Sequence, residues 1–290
     1  MNCNRISIFA HYDKDNIVDE YVFYYLKELK KVSNKIIFVT VSDINQGYIN
    51  KLEQLDIEVI KRENIGYDFY SYKTGIERLN LSDYDELILC NDSVYGPIVS
   101  LEKIFEKMSA SLCDFWGITA SRSISSHLQS YFLVFKSNIL HSNNFLEFWN
   151  NVEILENKQS IIERYEVGLS QFFFKNNYVG IPYINDIPYT VSKKDNIIRL
   201  AKRVLNSPYK IFKFLISPKR YLSAIKNKNI NTSLFYWDKL LLEKKTPFLK
   251  KSLFINHQDS IENLERLKEL QIAISSYPIS LIINHLRREK

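Results

Sequence analysis

Short apolar runs alternate with amphipathic stretches through the first third of the chain. Residues 5–10 (RISIFA), 35–41 (KIIFVTV), 57–60 (IEVI) and 86–90 (ELILC) are strand-length and apolar almost throughout. That is the pattern of strands buried on both faces. Between them lie helical spacings: residues 16–29 with Ile17, Tyr21, Tyr24 and Tyr25 on one side, a helix running to about residue 55 with Ser42-Asp43 as its cap, and residues 70–79. Strands alternating with helices at these lengths predict a parallel sheet with crossover helices.

The pattern then becomes less regular. It predicts a helix over 101–108, strands over 115–119 and 128–135, a helix start at 145–152, a long helix over 160–176 and a last strand over 178–184. Beyond that, residues 196–205 have basic amphipathic helical spacing, and 209–216 continue it between Pro208 and Pro218. A small helical tail is expected over 231–242, 247–254 and 261–274. The division this predicts is a main α/β domain over 1–192, a basic amphipathic segment over 193–230, and a mostly helical region over 231–290.

Charge sharpens the picture of the middle segment. The net charge is +6, and nine of the 39 Lys and Arg fall between Asn196 and Trp237, a stretch without Asp or Glu. The remaining 30 cations face 33 anions, so the positive charge is local. Its cations interleave with Ile, Leu and Phe, which suits an anionic lipid surface better than nucleic acid; a solvated linker is the plainer alternative. Three cysteines without metal-like spacing argue against a disulfide framework or a zinc site and fit a reducing compartment. No apolar run reaches the roughly 18 residues of a membrane span, and the first apolar run is strand-length, not a signal segment. The expected location is the cytoplasm, or peripheral attachment to a membrane. The 19 Tyr and 18 Phe suit sugar contacts, but most are explained as core edges.

The candidate chemistry gathers in residues 61–97, which hold three of the seven glycines: Gly66, Gly75 and Gly96. Ligands of open α/β sheets bind at the carboxyl ends of strands. Asn91, Asp92 and Ser93 follow the apolar strand 86–90, where a carboxylate would serve as metal ligand or catalytic acid; an Asx-turn is the structural alternative. Asn64, Gly66 and Asp68 precede a helix. Asp68 is either its cap or a nucleotide contact. No Walker loop and no GxGxxG fingerprint is present. Glu166 lies in the long helix close to Gly168, a mid-helix glycine that costs about 1 kcal/mol against Ala and so suggests close approach of a ligand or backbone. His127 and Gln129, with Tyr131, sit where the 128–135 strand begins after a Ser-rich loop.

These motifs resemble a known family. The order from residue 57 to 97 is similar to GT-A glycosyltransferases of inverting family 2. More narrowly, NIGYDFYSYKTGI, LCNDSVYGPI, DFWGIT, HLQSYFLVF and YEVGLSQFF, with Asn231-Thr232, Trp237-Asp238, Pro247-Phe248 and Lys250, resemble the rhamnan synthesis protein F family over nearly the whole chain. The resemblance implies a GT-A-like, mostly parallel mixed sheet sandwiched by helices, with a small helical C-terminal appendage. It implies an inverting transferase moving a 6-deoxyhexose, typically rhamnose from a dTDP-linked donor, onto a lipid-linked bacterial cell-surface polysaccharide at the inner membrane face. Residues 196–228 would then meet the anionic membrane.

It also implies roles. Tyr12, Asp43, Asn64, Gly66, Asp68, Asn91 and Ser93 would hold the donor nucleotide, and His127, Gln129 and Tyr131 the substrate. Glu166 would be the catalytic base, and Asp92 the acid at the diphosphate that binds Mg²⁺ or Mn²⁺. One departure stands out: family 2 enzymes usually carry Asp-x-Asp where this chain has Asn91, Asp92 and Ser93. A metal would be held by Asp92 alone or replaced by a cation from the protein. Two further classes stay open at this level: a non-catalytic nucleotide-sugar-binding or scaffold subunit of a polysaccharide assembly complex, and a membrane-surface or nucleic-acid-binding protein led by its basic segment.

Overall fold

A computed structural model describes residues 3–122, 124–184, 215–216, 232–255, 260–270 and 277–289. The N-terminal alternation folds as expected: β1 (Arg5–His11), α1 (Glu20–Lys30), β2 (Lys35–Thr40), α2 (Gln46–Glu53), β3 (Ile57–Lys61), α3 (Tyr67–Ile76) and β4 (Glu86–Asn91). Then follow β5 (Val94–Tyr95), α4 (Leu101–Ser109), β6 (Phe115–Gly117), β7 (Ala120–Ser121), β8 (His127–Leu128), β9 (Phe132–Lys136), α5 (Ser137–Leu140) and α6 (Asn143–Asn150). After α7 (Lys158–Ile161), a π-helical segment (Ile162–Val167), α8 (Gly168–Lys175) and β10 (Gly180–Pro182), the described C-terminal elements are α9 (Thr232–Phe235), α10 (Trp237–Lys244), β11 (Leu249–Lys250), α11 (Ser260–Glu269) and α12 (Ile279–Arg288).

Seven strands form the main sheet in the order β10-β6-β9-β4-β1-β2-β3. β9 runs antiparallel to both its neighbours, and the other pairs are parallel. This is the expected α/β architecture, a mostly parallel mixed sheet between helical layers. Side-chain alternation explains why the strands are apolar throughout. Phe9, Phe38, Ile88 and Cys90 belong to the core on one face, with α1 and α4. Ile8, Ala10, Ile37, Val39, Leu87 and Leu89 belong to the core on the other, with α3, α6 and α8. Both faces are dry, so no polar face was needed.

The register fixes the functional edge. His11 lies opposite Thr40, Thr40 opposite Lys61, and Ala10 opposite Asn91. The loops after β1, β2, β3 and β4 therefore open side by side at the carboxyl end of the sheet.

The described residues of the C-terminal region, α9 to α12 with β11, are built into the core rather than appended to it. Phe248, Leu249, Leu253, Phe254, Ile282 and Leu286 share the α1-side core with Phe9 and Ile88, and β11 pairs antiparallel with β5.

Several local expectations are corrected. Asn45, not Ser42-Asp43, caps α2, its side chain accepting from the Tyr48 N–H at 3.2 Å; the Ser42 hydroxyl instead bonds the Asp13 backbone. The 128–135 strand is broken between β8 and β9. The 160–176 helix contains a π-helical stretch. Residues 247–254 hold a strand and a 3₁₀ turn in place of a helix, because β11 finds a sheet partner in β5. Helix α12 goes beyond the predicted elements. The basic segment 196–228 and the boundary near 192 lie outside the described residues, apart from 215–216. Among the described residues, no helix is long and apolar enough to cross a membrane.

Candidate functional site

The site begins where β4 ends. Five apolar or core-facing residues carry the chain to Asn91, whose side chain then works in two directions. Its Oδ1 accepts from the Ser93 N–H at 3.1 Å and the Ser93 hydroxyl at 2.5 Å, an Asx-turn. Its Nδ2 donates to Asp68 Oδ2 at 2.9 Å. The Asx-turn and the placement of the acids are thus one feature rather than rival readings. The turn leaves Asp92 buried beside β1, with its N–H on the Ala10 carbonyl at 3.3 Å.

Asp92 is paired with a cation that sequence reasoning missed. Lys251 Nζ lies 3.3 Å from Asp92 Oδ2 and donates to the Tyr21 hydroxyl at 2.9 Å. The same Tyr21 hydroxyl donates to the Asp92 carbonyl at 3.2 Å. The Lys251 backbone is fixed by its N–H on the Ser93 carbonyl at 2.9 Å. His11, at the end of β1, also went unselected. One ring nitrogen bonds Thr40 Oγ1 at 2.9 Å. Burial pushes its pKa below the ordinary value, with Asp92 opposing and Lys251 reinforcing.

The loop before α3 supplies the second acid. Gly66 is the N-cap, at φ 72°, where a Cβ would sit 2.7 Å from Tyr70 Cβ; only glycine meets both demands. Arg62 ties this loop together, donating to the carbonyls of Glu63 at 2.8 Å, Ile65 at 2.5 Å and Tyr67 at 2.7 Å, and to Ser71 Oγ. Asp68 makes no capping bond. Its carboxyl is pushed up to about 7, first by burial and then by the negative charges of Asp92 and Glu166, with Lys251 and Lys158 opposing.

Glu166 lies in the π-helical segment, a distortion frequent at functional sites. Its Oε1 accepts from the Ser130 N–H at 3.2 Å, and its charge acts on Asp68, Tyr72, Tyr131 and Lys250. The charges of Asp92 and Glu166 thus both act to raise the Asp68 carboxyl. Gly168 has no part in this: a Cβ there would meet the Glu163 carbonyl at an ordinary 3.5 Å. The close approach expected from that glycine is not found.

The other expected residues divide. Ser93 and Gly66 are at the site. Tyr12, Asp43 and Asn64 are exposed on the loops after β1, β2 and β3; Asp43 pairs with Lys61 at 3.2 Å. Gln129 and Tyr131 are buried and bonded inward. The Gln129 Oε1 accepts from Thr119 at 2.7 Å and Ser233 at 2.9 Å, and the Tyr131 hydroxyl lies 2.8 Å from Thr119 Oγ1. His127 is buried with Nδ1 on the Ser125 carbonyl at 2.7 Å. Gln129 and Tyr131 lie in the break between β8 and β9, while His127 belongs to β8 itself.

The arrangement does not suit a hard divalent cation, which wants several oxygen ligands. The Asp92 carboxylate is already engaged by an ammonium. Elsewhere, Asp13, His285 and Glu289 bring ligand atoms within 4.8 Å of one another, but Arg288 occupies that cluster, pairing with Asp13, with Asp15 at 2.6 Å and with Asp19 at 2.6 Å.

Comparison with known proteins follows from this geometry. The chain is 29% identical over 264 residues to the virulence protein VirA of Vibrio anguillarum, covering 87% of this chain and 80% of that one. It is 28% identical over 160 residues to the uncharacterized protein y4gN of Sinorhizobium fredii, covering 53% of this chain and 42% of that one. Solved structures similar to it include a 4-diphosphocytidyl-2C-methyl-D-erythritol synthase, at TM-score 0.42 and 12% identity over 69% of this chain and 98% of that one. The glycosyltransferase GlyE of Streptococcus pneumoniae TIGR4 is similar at TM-score 0.37 and 12% identity, over 61% of this chain and 45% of that one. The profile of rhamnan synthesis protein F matches residues 36–214, more than half of the sequence and including β4, Asp68, Asp92 and Glu166. The chain belongs to the rhamnan synthesis protein F family.

Proposed function

We propose that the protein is an inverting glycosyltransferase that moves a 6-deoxyhexose, rhamnose from a dTDP-linked donor, onto a lipid-linked bacterial cell-surface polysaccharide. The observation that carries this reading is a shared hydrogen-bonded frame: Asn91, next to Asp92, donates to Asp68 at 2.9 Å, its N–H bonds the Tyr131 carbonyl at 3.3 Å, and the neighbouring Ser130 N–H bonds Glu166 at 3.2 Å. A grouping of acids beside the carboxyl ends of the strands, where α/β sheets take their ligands, supports the reading. Family membership supports the link to rhamnan synthesis.

In this mechanism the nucleotide lies across the ends of β1 and β2, along Tyr12, Asp43 and Asp68. The acceptor hydroxyl attacks the anomeric carbon from the face opposite the diphosphate. Glu166 takes the hydroxyl proton as the new C–O bond forms, and the nucleoside diphosphate leaves with the electron pair of the broken bond. General-base assistance of this kind contributes about 10²–10⁴ in rate. The bond from the Ser130 N–H holds the Glu166 carboxylate in place. Asp68 is the second candidate for the proton acceptor, because a carboxyl near 7 is matched to neutral pH.

The test is Glu166→Gln. It should lose transfer while keeping nucleotide affinity, and Asp68→Asn should keep most of the transfer. A well-folded Glu166→Gln protein that still transfers sugar removes Glu166 from the role. Nucleotide binding with no transfer by the wild type would favour the scaffold reading.

A further inference from the structure

Two lysines of the β11 corner lie close to the Asp92 loop. β11 lies antiparallel on β5, with Lys250 opposite Val94 and Leu249 opposite Tyr95. The Lys251 N–H closes the corner on the Ser93 carbonyl at 2.9 Å. Lys250 ends the strand and Lys251 opens the 3₁₀ turn that follows, so their side chains meet different neighbours. Lys251 lies 3.3 Å from Asp92 Oδ2 and 5.4 Å from the Tyr21 ring centre. Lys250 lies 5.4 Å from the Tyr131 ring centre and within the field of Glu166.

The two ammonium groups are not equivalent. Lys251 has an anion and a hydroxyl. Lys250 has the face of an aromatic ring, and among the described residues no hydrogen bond or ion pair fixes it. Burial pulls its pKa below the ordinary lysine value, with Glu166 partly restoring it. A desolvated ammonium without a paired anion is costly, and an arriving anion removes that cost. Among the described residues, Asp68, Asp92 and Glu166 do not form a cluster with ligand atoms within 4.8 Å of one another, and Lys251 already holds Asp92.

We propose that Lys250 and Lys251 together bind the donor's diphosphate beside the Asp92 loop and supply the charge compensation for which related enzymes use a metal ion. The inference rests on the transferase reading above. When the anomeric C–O bond breaks, its electron pair goes to the β-phosphate oxygen, and the added charge is met by N–H donors already in position. No proton or co-reactant is required at that oxygen. Asp92 is a positioning residue for Lys251, and Tyr21 helps it through the shared hydroxyl.

The experiment is calorimetric titration of the full chain with UDP, dTDP, uridine and thymidine, in EDTA and in Mg²⁺. Wild type should bind one diphosphate with the same affinity in both buffers. Lys250→Met and Lys251→Met should each weaken the diphosphate by about tenfold to a hundredfold, the scale of a charge-assisted hydrogen bond, and leave the nucleoside unchanged. Lys251→Arg keeps a cation beside Asp92 and should keep most of the affinity, which separates charge from folding. Diphosphate binding that requires Mg²⁺, or Met variants that bind like wild type in EDTA, overturns the clamp and leaves the transferase reading standing. Wild type that binds no nucleoside diphosphate in either buffer overturns both.

Discussion

Asp68→Asn removes an acid at the carboxyl edge whose proton is held first by burial and then by the charges of Asp92 and Glu166. The substitution keeps the shape and an acceptor for the Asn91 amide, now 2.9 Å from Asp68 Oδ2, and removes the charge. An acid whose pKa is higher in the fold than in the unfolded chain holds its proton more tightly when folded. It therefore costs stability as pH rises: nothing below 3.8, progressively more above it, and a constant amount above about 7. The distance between those two values corresponds to about 4 kcal/mol in full. Between about pH 5 and about pH 8 the cost grows by about 3 kcal/mol. Wild type and Asp68→Asn should be compared by urea unfolding at both pH values, so that every other titrating group cancels in the difference. The variant's advantage should be about 3 kcal/mol larger at the higher pH. An advantage that is the same at both would mean that neither burial nor the charges of Asp92 and Glu166 raise the Asp68 carboxyl.

Two further outcomes follow from other parts of the molecule. Gly66→Ala forces a Cβ to within 2.7 Å of Tyr70 at φ 72°; it should cost about 1–2 kcal/mol from the left-handed conformation alone, read by urea unfolding, and unchanged stability would show that the loop can relax. We also propose that residues 196–228 hold the protein at an anionic membrane: flotation with vesicles containing about a third phosphatidylglycerol should capture the full chain in low salt and lose it when that segment is deleted, and equal capture by neutral vesicles would refute the electrostatic basis.

The sequence was most legible where one local pattern sufficed. Residues 5–10, 35–41, 57–60 and 86–90 are apolar on both faces, and each became a strand of the shared sheet. Asp92 could be singled out because it lies in the polar turn that follows such a strand, and Asp68 because it stands where a helix was expected to begin. Lys251 could not. Its meeting with Asp92 spans 159 positions and depends on β11 pairing with β5, two residues each, too short to carry a periodic signal. His11 was hidden for a related reason: its partner Thr40 is set by strand register, not by spacing. The π-helical segment around Glu166 leaves no mark in a helical pattern of apolar residues. Gly168 misled because a glycine inside a helix carries a propensity cost whether or not anything approaches it. Gln129 and Tyr131 lie on the expected stretch, but in the break between β8 and β9.

The most direct test of the account is donor turnover. The purified protein should be incubated with a panel of nucleotide sugars that includes dTDP-rhamnose, and the released nucleoside diphosphate measured by mass spectrometry for wild type and Glu166→Gln. The account predicts that wild type consumes one donor, with inversion at the anomeric carbon when an acceptor is supplied, and that Glu166→Gln binds the same donor without consuming it. Equal turnover by the two proteins, or no turnover of any donor by wild type with acceptor lipid present, would contradict it.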